Sequence, residues 1–423
     1  MKLTNKEKKM LDGYEGPAKQ KAMELIVRYG KVIGAEALCS VTWADLFCGS
    51  HAYLDVLGSG DFDEVFSRMS LCATEPVKLE SMATSCVCFS GVEPDCTEVP
   101  DQLLMSTQKK DRNLDFLSRF IDAGVVLSGN CIPYITGFIP IMGEHFVSCE
   151  SSAVLFMNSL WGARGNGDGI EASFCAAVCG RTPLAGKHLS ANRVGTDLVI
   201  IKVELASIHD WDVLGHAIGR KLPPHSIPVL TGSFSRPNSI QLKSFFAALA
   251  CAAGTEMCHI VGITPEAPTL SQALDKREPD REIEIAATDI VESIQELNGH
   301  GRRKTDYISL GCPHYHIEEI RRIATFLEGK RIHPDTTVHL WTAGSIKYMA
   351  DRCGYTDTIQ KAGATVLTGS CPSTRGYPAG VRTAAYDSAK QRMSAAQETD
   401  ATLFYGSRQE CLQSAVSGFW EGR

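Results

Sequence analysis

No apolar run in this 423-residue chain is long enough to cross a bilayer: the longest, FFAALACAA at 245–253, falls far short of the roughly 20 residues required. The N-terminus, MKLTNKEKKMLDGYEG, is charged where a secretory signal needs an apolar core, so the protein is expected in the cytoplasm. A strong positive balance is also lacking. The formal net charge is -7 and no extended basic tract occurs, which leaves no electrostatic footprint for nucleic acid or an anionic membrane. Neither low-complexity tracts nor an internal repeat is evident. GNGDG at 165–169 has glycines at alternate positions with no strand leading into them, so it is not a dinucleotide fingerprint. A small-molecule partner is what remains.

Cysteine, by contrast, is abundant: 16 residues in a chain that is 44% hydrophobic and 22% charged, the composition of an ordinary globular protein. In a reducing compartment these are thiols or metal ligands and not disulfides. Cys86 and Cys88 would share one face of a strand, and Cys175 and Cys179 sit one helical turn apart; neither pair has a partner pair at zinc spacing. The length calls for two or three domains. We expect 1–135 as an N-terminal α/β region, 136–290 as a central α/β domain with anion-binding loops, and 291–423 as a C-terminal βαβ domain. The last is the clearest. DYISLG, TVHLWTA and ATVLTGS (306–311, 337–343, 364–370) read as strands alternating with the helices HIEEIRRIATFLEG and SIKYMADRCG, the signature of a parallel sheet. Upstream, PAKQKAMELIVRYGKVIG and IQLKSFFAALACAAG read as helices, and the charged LDKREPDREIEI (274–285) as a solvated linker or domain crossing.

Three cysteines stand out by position. Cys131, Cys312 and Cys371 each follow an apolar strand and precede a proline within two residues, which places each sulfur on a turn at a sheet edge. On spacing alone these could be buried turn residues. The segments GEHFVSCESSAVLFMNSLWGARGNGDG, CGRTPLAGKHLSANR, HIVGITPEA, LGCPH and DSAK…YGSRQECLQSAVSGFW together, however, resemble the aconitase X family in its large, catalytic subunit form. The resemblance spans nearly the whole chain. It implies an aconitase-like fold of several three-layer α/β domains with mainly parallel sheets around a central cleft. It also implies an iron–sulfur-dependent hydro-lyase that dehydrates a small hydroxylated carboxylic acid, cis-3-hydroxy-L-proline first and mevalonate 5-phosphate as the alternative.

By that resemblance Cys131, Cys312 and Cys371 fall at the cluster ligands. The nuclearity is left open between 4Fe–4S or 3Fe–4S and 2Fe–2S, because the chain departs from the family at TGSCPSTRG around Cys371 and fits it only loosely over 60–115. Three thiolates leave a coordination position for substrate that a fourth would close. A carboxylate substrate needs fixed cations, for which Arg164, Arg181 and Arg193 in loop-like surroundings are candidates. Ser151 or Ser152, at the start of the helix 151–160, would cap it and offer N–H groups to an anion, with Asn158 on the same helix as a further substrate contact. Glu144, His145 and Lys390, with His188, are candidate proton acceptors. The family resemblance runs to within a few residues of Arg423, so the mobile domain that closes such sites is expected on a separate small subunit. Two readings of other classes are a zinc hydrolase with Cys312, His314 and His316 as ligands, and a non-catalytic binding subunit.

Overall fold

A computed structural model describes residues 1–48, 58–90, 107–299, 303–373, 378 and 380–421. Part of the loosely fitting stretch 60–115, and of the sequence after Cys371, lies outside these residues. Three parallel sheets organise the chain. The first has the strand order Val125–Val126, Ser85–Ser90, Trp43–Phe47, Phe146–Ser148; the second Arg281–Ile285, Asp197–Ile201, Pro228–Gly232, His259–Ile260. The third runs Thr365–Leu367, Thr337–Thr342, Tyr307–Tyr315, Thr383–Tyr386, Thr402–Tyr405. Helices cover the sheets because parallel strands are reached only through crossovers. Pro17–Val32 is typical: it begins with proline at its first turn and turns Ala18, Ala22, Met23, Ile26 and Val27 inward against the first sheet's core.

Sheets one and three follow the same path. Each starts at an inner strand, Trp43–Phe47 or Tyr307–Tyr315, steps outward twice to an edge, then returns to the other flank of that inner strand. The reversal creates a crevice at the carboxyl ends, where ligands bind in doubly wound sheets. The two carboxyl ends face each other. Gly129, two residues before Cys131, lies so close to Gly369, two residues before Cys371, that a Cβ on Gly129 would stand 2.8 Å from the Gly369 Cα.

Three expectations change. LDKREPDREIEI is not all linker: Arg281–Ile285 is the edge strand of the second sheet, its charges on the exposed positions that keep such an edge from pairing further. Cys312 lies inside the strand Tyr307–Tyr315 and not on a turn beyond it. The strand runs on through an irregularity between Leu310 and Tyr315, where Gly311 takes φ +105° and passes against the Trp341 backbone. Finally, the helix Ser151–Trp161 is capped by Glu150, whose carboxylate accepts from the Ala153 N–H at 3.0 Å, and by neither serine.

The glycine contact yields a test. Gly129→Ala adds a methyl where φ is +56° and the opposing backbone is already in contact. It should lower stability by about 1–3 kcal/mol, read from the chemical-denaturation midpoint; an unchanged midpoint would show that the two turns separate freely.

Candidate active site at the meeting of two sheets

The sequences SGNC (128–131) and TGSC (368–371) leave the edge strands of sheets one and three, and their turns interlock with the Cys312 segment. The backbone N–H of Cys131 donates to His314 Nδ1 at 3.1 Å, and the His314 N–H donates back to Cys131 Sγ at 3.4 Å. Cys312 Sγ lies 3.6 Å from the Ser373 hydroxyl. All three cysteines are buried, none forms a disulfide, and each feels the charge of Lys390. The structure therefore brings Cys131, Cys312, Cys371 and Lys390 together.

Lys390 crosses from sheet three to sheet one. It follows the return strand Thr383–Tyr386 at the start of the helix Ala389–Ala395, and its ammonium pairs with Glu150 and donates to Ser152 Oγ at 2.5 Å. Burial would strip the proton from Lys390, but Glu150 and the neighbouring thiols outweigh it and hold the ammonium. That direction is the one expected of a fixed cation. Glu150 was not among the residues singled out from sequence; the one hint was an acid directly before a two-serine helix start. Ser152 is buried with it, its hydroxyl 3.4 Å from Glu150 Oε1, whereas Ser151 is exposed. Asp45, buried on the adjacent inner strand, accepts from Ser148 Oγ at 2.9 Å, and Ser148 Oγ in turn accepts the Glu150 N–H at 3.0 Å.

The other candidates lie elsewhere. Glu144 and His145 precede the strand Phe146–Ser148, at the opposite end of the sheet from Glu150, about 10 Å away along the strand. Arg164 bridges to His145 there and donates to the His188 carbonyl at 3.0 Å and to Ser190 Oγ at 2.8 Å. Glu144 closes its own turn by accepting the Ile141 N–H. Arg181 donates to Glu7 at 3.0 Å; Arg193 is buried on Glu266 and also binds Asn158, whose amide joins Gly165 to Glu256. His314 and His316 each accept a backbone N–H through Nδ1, and among the described residues the ligand atoms of Cys312, His314 and His316 do not gather within 4.8 Å of one another.

The donor set fits a thiophilic metal group. Burial pushes all three thiols up, Cys312 to about 12, while Lys390 opposes it. Such thiols ionise in exchange for a bound cation, and three soft sulfurs are a donor set that would hold an iron–sulfur cluster with one position left open.

Known proteins match the chain along nearly all of its length. Family models described as the aconitase X first, second and third domains match residues 1–191, 197–295 and 305–417. The phosphomevalonate dehydratase large subunit of Methanocaldococcus jannaschii is 33% identical over 379 residues, 88% of this chain and 89% of that one. The cis-3-hydroxy-L-proline dehydratase of Hypocrea jecorina is 30% identical over 431 residues, 100% of this chain and 70% of that one. A crystal structure of Thermococcus kodakaraensis aconitase X in its holo-form superposes with a TM-score of 0.80 at 24% identity, covering 98% of this chain and 100% of that one, a likeness of fold.

The buried pair predicts a non-additive cycle. Lys390→Met strands the Glu150 carboxylate and should cost about 3–5 kcal/mol. Adding Glu150→Gln should restore part of that loss; denaturation midpoints that merely add would show the two side chains to be uncoupled.

Proposed function

This chain belongs to the aconitase X family, and on that premise we propose that it is the large subunit of a two-subunit dehydratase acting on a small hydroxylated carboxylic acid through an iron–sulfur cluster on Cys131, Cys312 and Cys371. The observation that carries the reading is the convergence of those three thiols on the Lys390–Glu150–Ser152 group. When bound, such a cluster supplies the Lewis acidity that makes hydroxide a tolerable leaving group. The chain's own residues handle the proton. Ser152 Oγ receives the hydrogen from the carbon beside the carboxylate and passes its own to Glu150 Oε1, while the Lys390 ammonium stabilises the charge that develops on the serine oxygen. The free N–H groups at the start of the helix Ser151–Trp161 offer an anchor for the substrate carboxylate.

Charge balance favours cis-3-hydroxy-L-proline. At this sheet edge Lys390 is balanced by Glu150, and burial holds Asp45 beside them toward its neutral form. A zwitterionic ring amino acid suits that set better than a dianionic phosphate, since Arg181 and Arg193 are already committed to Glu7 and Glu266. The likeness to large subunits of phosphomevalonate dehydratases supports mevalonate 5-phosphate as the second reading, and the word "subunit" in those names supports a small partner that completes the site.

The direct test is co-expression with that small subunit, reconstitution with iron and sulfide, and assay of both substrates. Turnover of mevalonate 5-phosphate alone would replace the first substrate by the second; turnover of neither would remove the assignment. Cys312→Ser should abolish the iron–sulfur absorption together with activity, because an alkoxide is a poor substitute for thiolate. Cys175→Ser, on a buried helix of the first core, should leave both nearly intact.

Ser152→Ala should keep the iron and lower kcat by about two to four orders of magnitude. Iron retention with full kcat would move the proton acceptor elsewhere.

A further inference from the structure

A second cluster of metal-binding side chains lies away from the three cysteines, at the amino end of the first sheet. Cys39 Sγ and the ring nitrogens of His145 and His188 all lie within 4.8 Å of one another, and the two Nδ1 atoms are 2.9 Å apart. Three segments remote in sequence deliver them. Cys39 sits on the short strand Leu38–Ser40, paired with Arg181–Pro183; His145 precedes the strand Phe146–Ser148; His188 ends the 3-10 turn Gly186–His188. None belongs to the proton-handling group described above.

The donors suit one class of ion. Two imidazole nitrogens and a thiol sulfur make a borderline-soft set, the kind that holds zinc and leaves a fourth position open. In the 2.9 Å contact one Nδ1 donates and the other accepts, so one lone pair already points into the cluster, and His188 Nε2 is buried without a hydrogen-bond partner. Cys39 has only a long contact, 3.7 Å, to the Thr182 carbonyl.

A second observation points the same way. Asp168, 4% exposed, donates nothing and keeps Oδ2 without a partner, while its Oδ1 accepts from the Tyr29 hydroxyl at 3.1 Å. Its charge is, after burial, the largest influence raising Cys39. A carboxyl group buried beside a thiol calls for a cation between or near them. Three guanidinium groups, Arg164, Arg181 and Arg193, oppose this. Arg193 is paired with Glu266 and Arg181 with Glu7, however, and Arg164 is directed at the His188 carbonyl, which leaves Asp168 Oδ2 without a partner among the described residues.

We propose that Cys39, His145 and His188 form a mononuclear zinc site, separate from the three-cysteine site, that ties the strand Leu38–Ser40 to the loops carrying Arg164 and Ser190. On binding, the Cys39 thiol proton leaves to solvent, a sulfur–zinc bond forms, and no change of oxidation state occurs. The fourth ligand is water.

The test uses the full chain, stripped of metal by a chelator under reducing conditions and titrated with Co2+ as a spectroscopic stand-in for zinc. Because the three-cysteine site can also take cobalt, the parent is Cys371→Ser. That parent should bind one tight equivalent with a thiolate-to-cobalt charge-transfer band, and added Zn2+ should displace it. Cys39→Ser in the same background should lose the band and weaken binding at least tenfold, with unchanged circular dichroism. His145→Asn should weaken binding while keeping the sulfur band, which guards against a Cys39 variant that fails to fold. A band that persists in folded Cys39→Ser, or no tight equivalent in the parent, would overturn the site.

Discussion

Everything at the centre of this molecule depends on an ammonium held out of water by a carboxylate. Lys390 and Glu150 come from different sheets, 14% and 7% exposed, and their pairing is a bond between two halves of the protein as well as a local charge balance. Removing two charges from water is expensive, and the pair returns that cost only because each partner is used again: Glu150 caps its own helix through the Ala153 N–H, and Lys390 reaches Ser152. The same arrangement places a permanent positive charge beside three thiols that burial alone would keep protonated. The tie between the two sheets and the positive charge beside the thiols therefore rest on one contact.

A second buried network holds the Cys312 strand in place. Lys243, from a helix over the second sheet, pairs with Glu319 at 2.6 Å and also donates to the His314 carbonyl at 2.9 Å. Glu319 accepts from Arg408 at 2.6 Å, and Arg408 stacks over the Tyr315 ring and reaches Asp387. The second sheet thus acts on the site without contributing a cysteine. It braces the segment between Cys312 and the helix Ile317–Leu327 from behind.

The third sheet was legible because its strands are continuous apolar runs set between amphipathic helices; the prolines after the three cysteines marked them by position, and only the family resemblance gave them a role. What was not legible turned on partners far away in sequence. Arg181 and Arg193 look like free loop cations until Glu7, 174 residues off, and Glu266, 73 residues off, take their charge. Glu150 escaped notice because the two serines after it match the usual capping residues better than a glutamate does. The strand Phe146–Ser148 is only three residues long, too short to show a period, yet it sets His145 and Glu150 at opposite ends of a sheet. Charged REIEI hid an edge strand for the converse reason: its outward positions carry the signature of a linker.

The matching paths of sheets one and three have one more consequence. Gly129 and Gly369 occupy the same place after equivalent edge strands, and they touch each other. Ser152 and Lys390 are each the second residue of the helix after the returning strand, and they touch as well. Like meeting like is the mark of an approximate twofold axis, here within a single chain. The two sheets meet face to face, SGNC at one edge and TGSC at the other. The likeness ends at the inner strands: Tyr307–Tyr315 of the third sheet contains Cys312, whereas Cys48, beside Trp43–Phe47 of the first, belongs to that sheet's own apolar core. A symmetric pair of turns would offer an even number of sulfurs; the broken symmetry supplies the third.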